Sequence, residues 1–308
     1  MAILKNSFEN LSDEDAEILQ EYFHGYNYRG AGYTLLANYM WRNTHCIHWE
    51  LTGGYLFISG GSCKHEIIAM PLTKTGTYNI AEFREAVLSV KKRFDEQNVA
   101  FEIDLVPAHM LHIVEEAFPE GIKAERDSDM DEYVYLKEKL ITLSGRALHK
   151  KKNHMNYFLK TWQYEVRPVT REMSEEVIDL LHRVHEDREY DEENRRSLAL
   201  EETAIKEILS VIGRADVHSC AIYIEGKLEA FALGEIMDGE IATEHFEKAN
   251  DDYRGLYQVI CSEFCKSLPE EIIYVNREED MGIENLRKAK LALKPISMEE
   301  RYTIDFCN

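Results

Sequence analysis

The 308-residue chain is 44% apolar and 30% charged, with 57 acidic side chains against 36 basic ones and a formal net charge of −21. Such a composition supports a sizeable core and excludes a fibrous or disordered protein. Residues 1–150 hold 23 acids and 15 bases and residues 151–308 hold 34 and 21, so neither half is a basic nucleic-acid binder; a polyanionic partner needs a local basic patch.

The cysteines, Cys46, Cys63, Cys220, Cys261, Cys265 and Cys307, form no CxxC pair and read as reduced, partly buried thiols. Met1–Asn6 lacks the apolar stretch of a secretory signal, and no window approaches the ~18 apolar residues of a membrane span. A cytoplasmic protein is expected, without a membrane span; any lipid contact is peripheral.

In chain order, Ser12 caps a first helix with Ile18, Leu19, Tyr22 and Phe23 as its apolar stripe, and Asp13, Glu14 and Asp15 at the positive end of its dipole. A second helix holds Thr34–Trp41. Strands follow at Ile47–Leu51, Tyr55–Ser59 and Glu66–Met70, punctuated by Gly53-Gly54 and Gly60-Gly61. A helix over Ile80–Gln97, a strand in Ala100–Val106, a helix from Pro107 to near Phe118 and a strand at Tyr133–Tyr135 complete the first half. Leu136–Lys160 reads as helical rather than as a flexible linker.

The second half repeats this order: a strand at Glu165–Val169, helices over Ser174–Glu189 and Leu198–Ile212, and strands at His218–Glu225, Lys227–Met237 and Glu240–Glu247. Glu225-Gly226 and Asp238-Gly239 mark the turns between these strands. A helix over Gly255–Lys266, a strand at Ile272–Val275, a helix over Ile283–Ala292 and a strand in Ser297–Ile304 end the chain. The repeated order predicts two mixed-sheet α/β domains, 1–145 and 146–308, duplicated in architecture though not in residues.

Three motifs can carry chemistry. Arg146, His149, Lys150, Lys151 and Lys152 crowd the start of one helix, the sharpest charge contrast in an acidic chain. Arg146, Lys150 and Lys151 are either a phosphate anchor bordering the binding cleft, for an acyl carrier, a tRNA end or a lipid head group, or a solvated helix face. Ala242–Gln258 runs from a strand end through a loop into a helix. It offers Glu244, His245, Glu247 and Lys248 at the strand end, with Gly255 where a ligand can approach backbone N–H groups. Strand alternation places Glu244 with Phe246 on one face and His245 with Glu247 on the other. In the third motif, Asn276, Arg277 and Asp280 sit past the carboxyl end of a strand, where α/β sheets bind ligands, and Arg287, Lys290 and Lys294 recur on the next helix. Ile283, Leu286 and Leu293 are expected to face the core.

Val275–Leu291 with Lys294-Pro295, Glu247–Ala249 through Arg254–Tyr257, the basic helix Arg146–Asn153 and Tyr39–Arg42 together resemble the phosphatidylglycerol lysyltransferase C-terminal domain family. The resemblance implies a tandem duplication of a GNAT-like acyltransferase fold, shared with Fem-type aminoacyltransferases. It implies transfer of an aminoacyl or acyl group from an activated ester to an amine or hydroxyl acceptor, as when the lipid enzymes esterify a lipid hydroxyl from aminoacyl-tRNA. For that reaction Glu244, His245 or Glu247 would take the proton. Substrate would lie along Lys248, Arg254, Gly255, Tyr257, Asn276, Arg277, Asp280, Arg287 and Lys290, with Asp280 and Glu284 on an α-ammonium and Arg254, Arg287 and Lys290 on phosphate. No metal and no cofactor is required; the donor would be a small aminoacyl compound, aminoacyl-tRNA or acyl-CoA. The acyl-CoA loop pattern is reduced here to Tyr253–Gln258 with one glycine. The alternatives are a non-catalytic ligand-binding or regulatory module on this fold, or an acyl-CoA-dependent N-acetyltransferase.

Overall fold

Local signals set most element starts. The Ser12 N–H and hydroxyl both donate to Asp15 at 2.8 Å. Thr34 Oγ1 accepts the Ala37 N–H at 3.1 Å, and Asn79 Oδ1 accepts those of Ala81 and Glu82. Glu225 and Gly226 both take positive φ (52° and 80°), so the chain reverses in two residues.

A computed structural model describes residues 8–23, 30–62, 65–186, 192–237 and 239–307; Met1–Asn6, Cys63 and the turn residue Asp238 lie outside them. The first unit contains β1 (Glu9–Asn10), α1 (Ala16–Phe23), α2 (Leu35–Trp41), β2 (His48–Thr52), β3 (Tyr55–Ser62), β4 (His65–Ala69), α3 (Ile80–Glu96), β5 (Glu102–Pro107), α4 (Leu111–Ala117) and β6 (Ile122–Arg126). The second contains β7 (Glu132–Leu136), α5 (Lys137–Thr142), α6 (His149–Thr161), β8 (Glu165–Arg167), α7 (Ser174–Glu186), α8 (Glu192–Val211), β9 (Val217–Ile224), β10 (Lys227–Ile236), β11 (Ile241–Ala249), α9 (Leu256–Ser267), β12 (Tyr274–Asn276) and α10 (Glu284–Leu291). The chain closes with β13 (Ser297–Glu299) and β14 (Arg301–Phe306).

Each unit is built on one seven-stranded mixed sheet. The orders are β1-β2-β3-β4-β5-β14-β6 and β13-β7-β12-β11-β10-β9-β8. The parallel neighbours are β4 with β5 in the first sheet and β11 with β12 in the second. Among the described residues no helix is long and apolar enough to cross a membrane.

The division differs from the expected 145/146 boundary. The compact units are residues up to Asp131 with those from Glu299 on, and Glu132–Met298. The expected last strand breaks at Glu300. Its first part joins the second sheet, whereas Arg301–Phe306 pairs on both edges inside the first, with β5 and β6. Pairing of this kind is non-local, so no nearby residue signals it. The helix expected across Leu136–Lys160 is interrupted where Leu143 and Gly145 take φ of 46° and 105°. Ile18 is 45% exposed; Leu19, Tyr22 and Phe23 alone anchor α1.

In the second unit α5, α6 and α9 cover one sheet face. Leu140, Met155 and Phe158 meet Val259, Ile260 and Phe264 over Ala232, Ala242 and Val275. Gly255, at φ 97°, begins α9 where a Cβ would stand 2.1 Å from the His154 carbonyl of α6. This glycine therefore admits a neighbouring helix, not a ligand. Gly234 of β10 is pressed equally hard, with a Cβ position 2.0 Å from the Thr243 carbonyl and 2.8 Å from Phe264. Gly234→Ala should cost about 3 kcal/mol or more through backbone displacement. Differential scanning calorimetry should show the second unit's transition falling by roughly 6–12 °C.

Candidate functional site

The parallel ladder of β11 and β12 runs for only three residue pairs, from Ile241↔Tyr274 to Thr243↔Asn276. Beyond it β11 continues to Ala249, while the other chain turns away at Arg277. The two strands thus open a notch at their carboxyl ends, the place where α/β sheets gather polar side chains. Glu244 and Arg277, the next residues on each side, fill it.

A β-bulge decides which side chains meet there. In the β10–β11 ladder Leu233 faces Phe246 and Gly234 faces Glu244, so His245 is the extra residue. An extra residue shifts the alternation by one. Glu244 and Glu247, on opposite faces of a regular strand, now both turn toward Arg277. The expected grouping of His245 with Glu247 is corrected on this ground, and the close approach at Gly234 is its backbone counterpart.

Arg277 Nε pairs with Glu244 Oε2, and Nη2 lies 3.0 Å from Glu247 Oε2. The Glu244 and Arg277 side chains are 1% and 15% exposed, so this is a desolvated cluster rather than a surface bridge. Cys261 of α9, Tyr135 of β7 and Lys151 of α6 surround it. Burial drives the Glu244 carboxyl well up, against the pull of Arg277, and the neighbouring Glu247 adds to the rise. Burial likewise pushes Glu247 up to about 7, again opposed by Arg277. Two carboxylates share one guanidinium, so the cluster carries a proton near neutrality.

His245 has other partners. Its Nε2 lies 2.9 Å from Glu235 Oε1 and its Nδ1 2.6 Å from Glu278 Oε1. Burial lowers its basicity, but Glu278 and Glu235 overcome that and raise it to about 10. The ring is an imidazolium donating from both nitrogens, with no lone pair to take a proton. Its expected role as a base is thereby corrected.

The loop after β12 is tied by its own polar residues. Asn276 donates to Glu132 Oε2 at 2.5 Å and accepts the Glu278 N–H at 2.7 Å. Asp280 is fully buried. It accepts from the Tyr133 hydroxyl, from Arg287 Nε and Nη2 at 2.8 and 2.7 Å, and from Gly282 N–H at 3.0 Å. The Arg287 guanidinium, first among these, holds the Asp280 carboxyl below the ordinary aspartate range. Lys290 Nζ donates to the carbonyls of Arg277, Glu278 and Glu279. Asp280, Arg287 and Lys290, expected to hold an α-ammonium and phosphate, spend their polar groups inside the loop instead. Ile283 is 45% exposed and α10 fully buries none of its residues, but Leu286 is half-buried and Leu293, just past the helix, packs against the hydrophobic cluster, so Arg287 and Lys290 pin the helix with only part of the expected apolar stripe.

The remaining candidates spread out. Lys248 pairs with Glu201 at 2.7 Å, Glu284 with Lys288 at 2.6 Å, and the Arg254 guanidinium lies over the Tyr157 ring at 5.4 Å. Tyr257 packs half-buried against the hydrophobic cluster. Of the basic turn, Arg146 and Lys150 are exposed, whereas Lys151 reaches the Glu247–Arg277 cluster, and burial lowers its ammonium's basicity. Glu244, Glu247 and Cys261 bring one ligand atom each within 4.8 Å of the others. A cation is already supplied there by Arg277, and a hydrogen bond with Cys265, then burial, holds Cys261 as a thiol. The sequence reading missed Glu235, Glu278, Tyr133 and Cys261. Glu235 alone carried a signal, as an acid closing the apolar run Ala230–Gly234 of β10.

The first unit has a matching notch where β4 and β5 part after Ala69↔Asp104. Buried Tyr33 closes it: its hydroxyl accepts the Met70 N–H at 3.2 Å and donates to the Leu105 carbonyl at 2.7 Å. The ionic cluster belongs to the second unit.

Two measurements check these assignments. Asp280→Asn should destabilise the second unit by about 1.5–3 kcal/mol, since a buried charged acceptor of several donors is lost. Glu247 has a raised folded pKa, so the folded state takes up its proton first; its contribution is favourable at low pH and is lost as pH rises from about 4.5 to about 7. Thermal melts should therefore show Glu247→Gln gaining on the wild type between pH 5 and pH 8.

Sequence comparison matches residues 23–305 to the family described as phosphatidylglycerol lysyltransferase, C-terminal. An uncharacterised protein from Mycoplasmoides gallisepticum is 26% identical over 175 residues, 56% of this chain and 55% of that protein; the match spans about half the length of this curated relative. A solved conserved protein of unknown function from Bacteroides thetaiotaomicron superposes with a TM-score of 0.87 at 25% identity, over 97% of this chain and 99% of that one. FemX superposes with a TM-score of 0.61 at 8% identity, over 98% and 97%, and so shares the fold. The expected two-part α/β architecture with mixed sheets holds and is shared with FemX, and the chain belongs to the phosphatidylglycerol lysyltransferase C-terminal family.

Proposed function

We propose that this protein is an acyltransferase of the aminoacyl-transfer type, moving an aminoacyl or acyl group from an activated ester to an amine or hydroxyl. The observation that carries the reading is the notch in the second unit, where Glu247 titrates near 7 beside a guanidinium. A group that gains and loses a proton near neutrality is suited to general base catalysis. In the proposed reaction the Glu247 carboxylate takes the proton of the attacking amine or hydroxyl. Glu244, whose carboxyl burial pushes up, and Arg277 stand beside it. Lys151 joins the basic turn to the same cluster, so a phosphate-bearing donor on Arg146 and Lys150 would lie beside it. The donor is an aminoacyl-tRNA, a small aminoacyl ester or an acyl-CoA, with no metal or cofactor in the step; its family's name points to a lysyl group and a lipid hydroxyl.

A second reading, a ligand-binding or regulatory module, is favoured by one observation: the Glu244 side chain is 1% exposed, as in a purely structural ionic core. Transfer assays with labelled aminoacyl-tRNA and acyl-CoA donors, offered amine and hydroxyl acceptors, separate the two. Transfer should occur, and Glu247→Gln should reduce it by about 100-fold or more with the fold intact. A protein that binds donors without turnover supports the module.

A further inference from the structure

We propose that Lys290 is a positioning residue: by gathering the carbonyls of Arg277, Glu278 and Glu279 onto one ammonium, it sets the Arg277 guanidinium between Glu244 and Glu247. This inference does not depend on which group the protein transfers.

Three consecutive carbonyls do not converge on one point in extended or helical backbone. Here they do because Glu278 takes φ 56°, a left-handed conformation that is strained for a non-glycine residue. Something must offset both that strain and the repulsion of three aligned carbonyl dipoles. The Lys290 ammonium has three donors and meets three acceptors, at 3.0 Å for Glu278, 2.6 Å for Glu279 and closer still for Arg277. No donor is left for a ligand.

The lysine is fixed in turn. Its own carbonyl accepts the Tyr135 hydroxyl at 2.9 Å, and its ammonium stands 5.7 Å over the Tyr133 ring. Tyr133 also exchanges backbone hydrogen bonds with this turn: its N–H donates to Glu278 O and its carbonyl accepts from Arg277 N–H. The turn so held delivers Arg277 to Glu244 and Glu247 on one side and Glu278 to His245 on the other. One ammonium thus holds the backbone from which both ionic groups are hung. The titratable groups near it are Glu278, Arg277, Glu279 and Glu244; those near Glu247 are Arg277, Cys261, Glu244 and, from α6, Lys151.

The prediction is electrostatic as well as structural. If Lys290 only stabilises the fold, its loss lowers the melting temperature and leaves Glu247 alone. If it positions Arg277, its loss lets the guanidinium drift and the Glu247 carboxylate loses its counter-charge. The full-length protein with 13C-labelled glutamate is titrated by NMR, the Glu247 signal being identified by its absence in Glu247→Gln. Lys290→Met should raise the Glu247 midpoint by about one unit or more, and Lys290→Arg should return it part of the way. Lys288→Met, which removes an exposed lysine from the same helix, should leave it in place. A folded Lys290→Met protein whose Glu247 midpoint stays within roughly 0.3 unit of wild type overturns the proposal, as does an equal shift in Lys288→Met. Should Lys290→Met fail to fold, Lys290→Gln, which keeps two donors, is judged by the same two criteria.

Discussion

A guanidinium buried between two carboxylates imposes conditions on everything around it in the second unit. Charge taken out of water must be matched at close range, or the fold loses several kcal/mol. Arg277 meets that condition through Glu244 and Glu247, and the two glutamates reach it only because His245 is squeezed out as a bulge. The bulge in turn requires a residue without a side chain at Gly234. Displaced, His245 becomes a second buried cation with its own carboxylates, Glu235 and Glu278. One backbone irregularity thus sorts six ionisable side chains into two clusters, and the turn after β12 serves both.

The two units follow one plan and diverge at one place. In each, a parallel pair of strands separates at its carboxyl end. The first unit closes the gap with a neutral tyrosine whose hydroxyl replaces the missing ladder hydrogen bonds. The second leaves it to an arginine and two acids, Glu244 and Glu247, whose carboxyls burial pushes up. A hydroxyl bridging two backbone groups is a seal. A pair of buried acids on one guanidinium is instead an ionic cluster whose acids burial pushes up.

Several residues that look ligand-binding by type are used as scaffold. Asn276, Asp280, Arg287 and Lys290 sit past a strand's carboxyl end, the right place for a site, and their spacing predicted as much. Each of them hydrogen-bonds within the protein. Residue type and position cannot separate the two uses, because a buried loop needs donors and acceptors for its own backbone just as a ligand does. Arg277 alone of this motif points into the notch. It is one residue from Asn276, and only the direction of the turn distinguishes them.

What the sequence by itself determined was local. Apolar periodicity and capping residues placed most helices and strands within a few positions, though β1 and β6 went unread and α8 begins six residues before the expected Leu198, and paired turn residues at Glu225-Gly226 marked a hairpin. Blocks resembling the family's motifs, spread along the chain, pointed to the family. Tertiary structure alone decided the insertion of Arg301–Phe306 between β5 and β6, the break of the helix at Leu143, and the bulge at His245. It also decided that Glu235 and Cys261, distant in sequence, would stand beside His245 and Arg277. Caps and periodicity act over a few residues, so the local sequence encodes them fully. Strand pairing, a one-residue slip in register and the partner of a buried charge depend on segments brought together across the whole fold, and those are settled only when the fold closes.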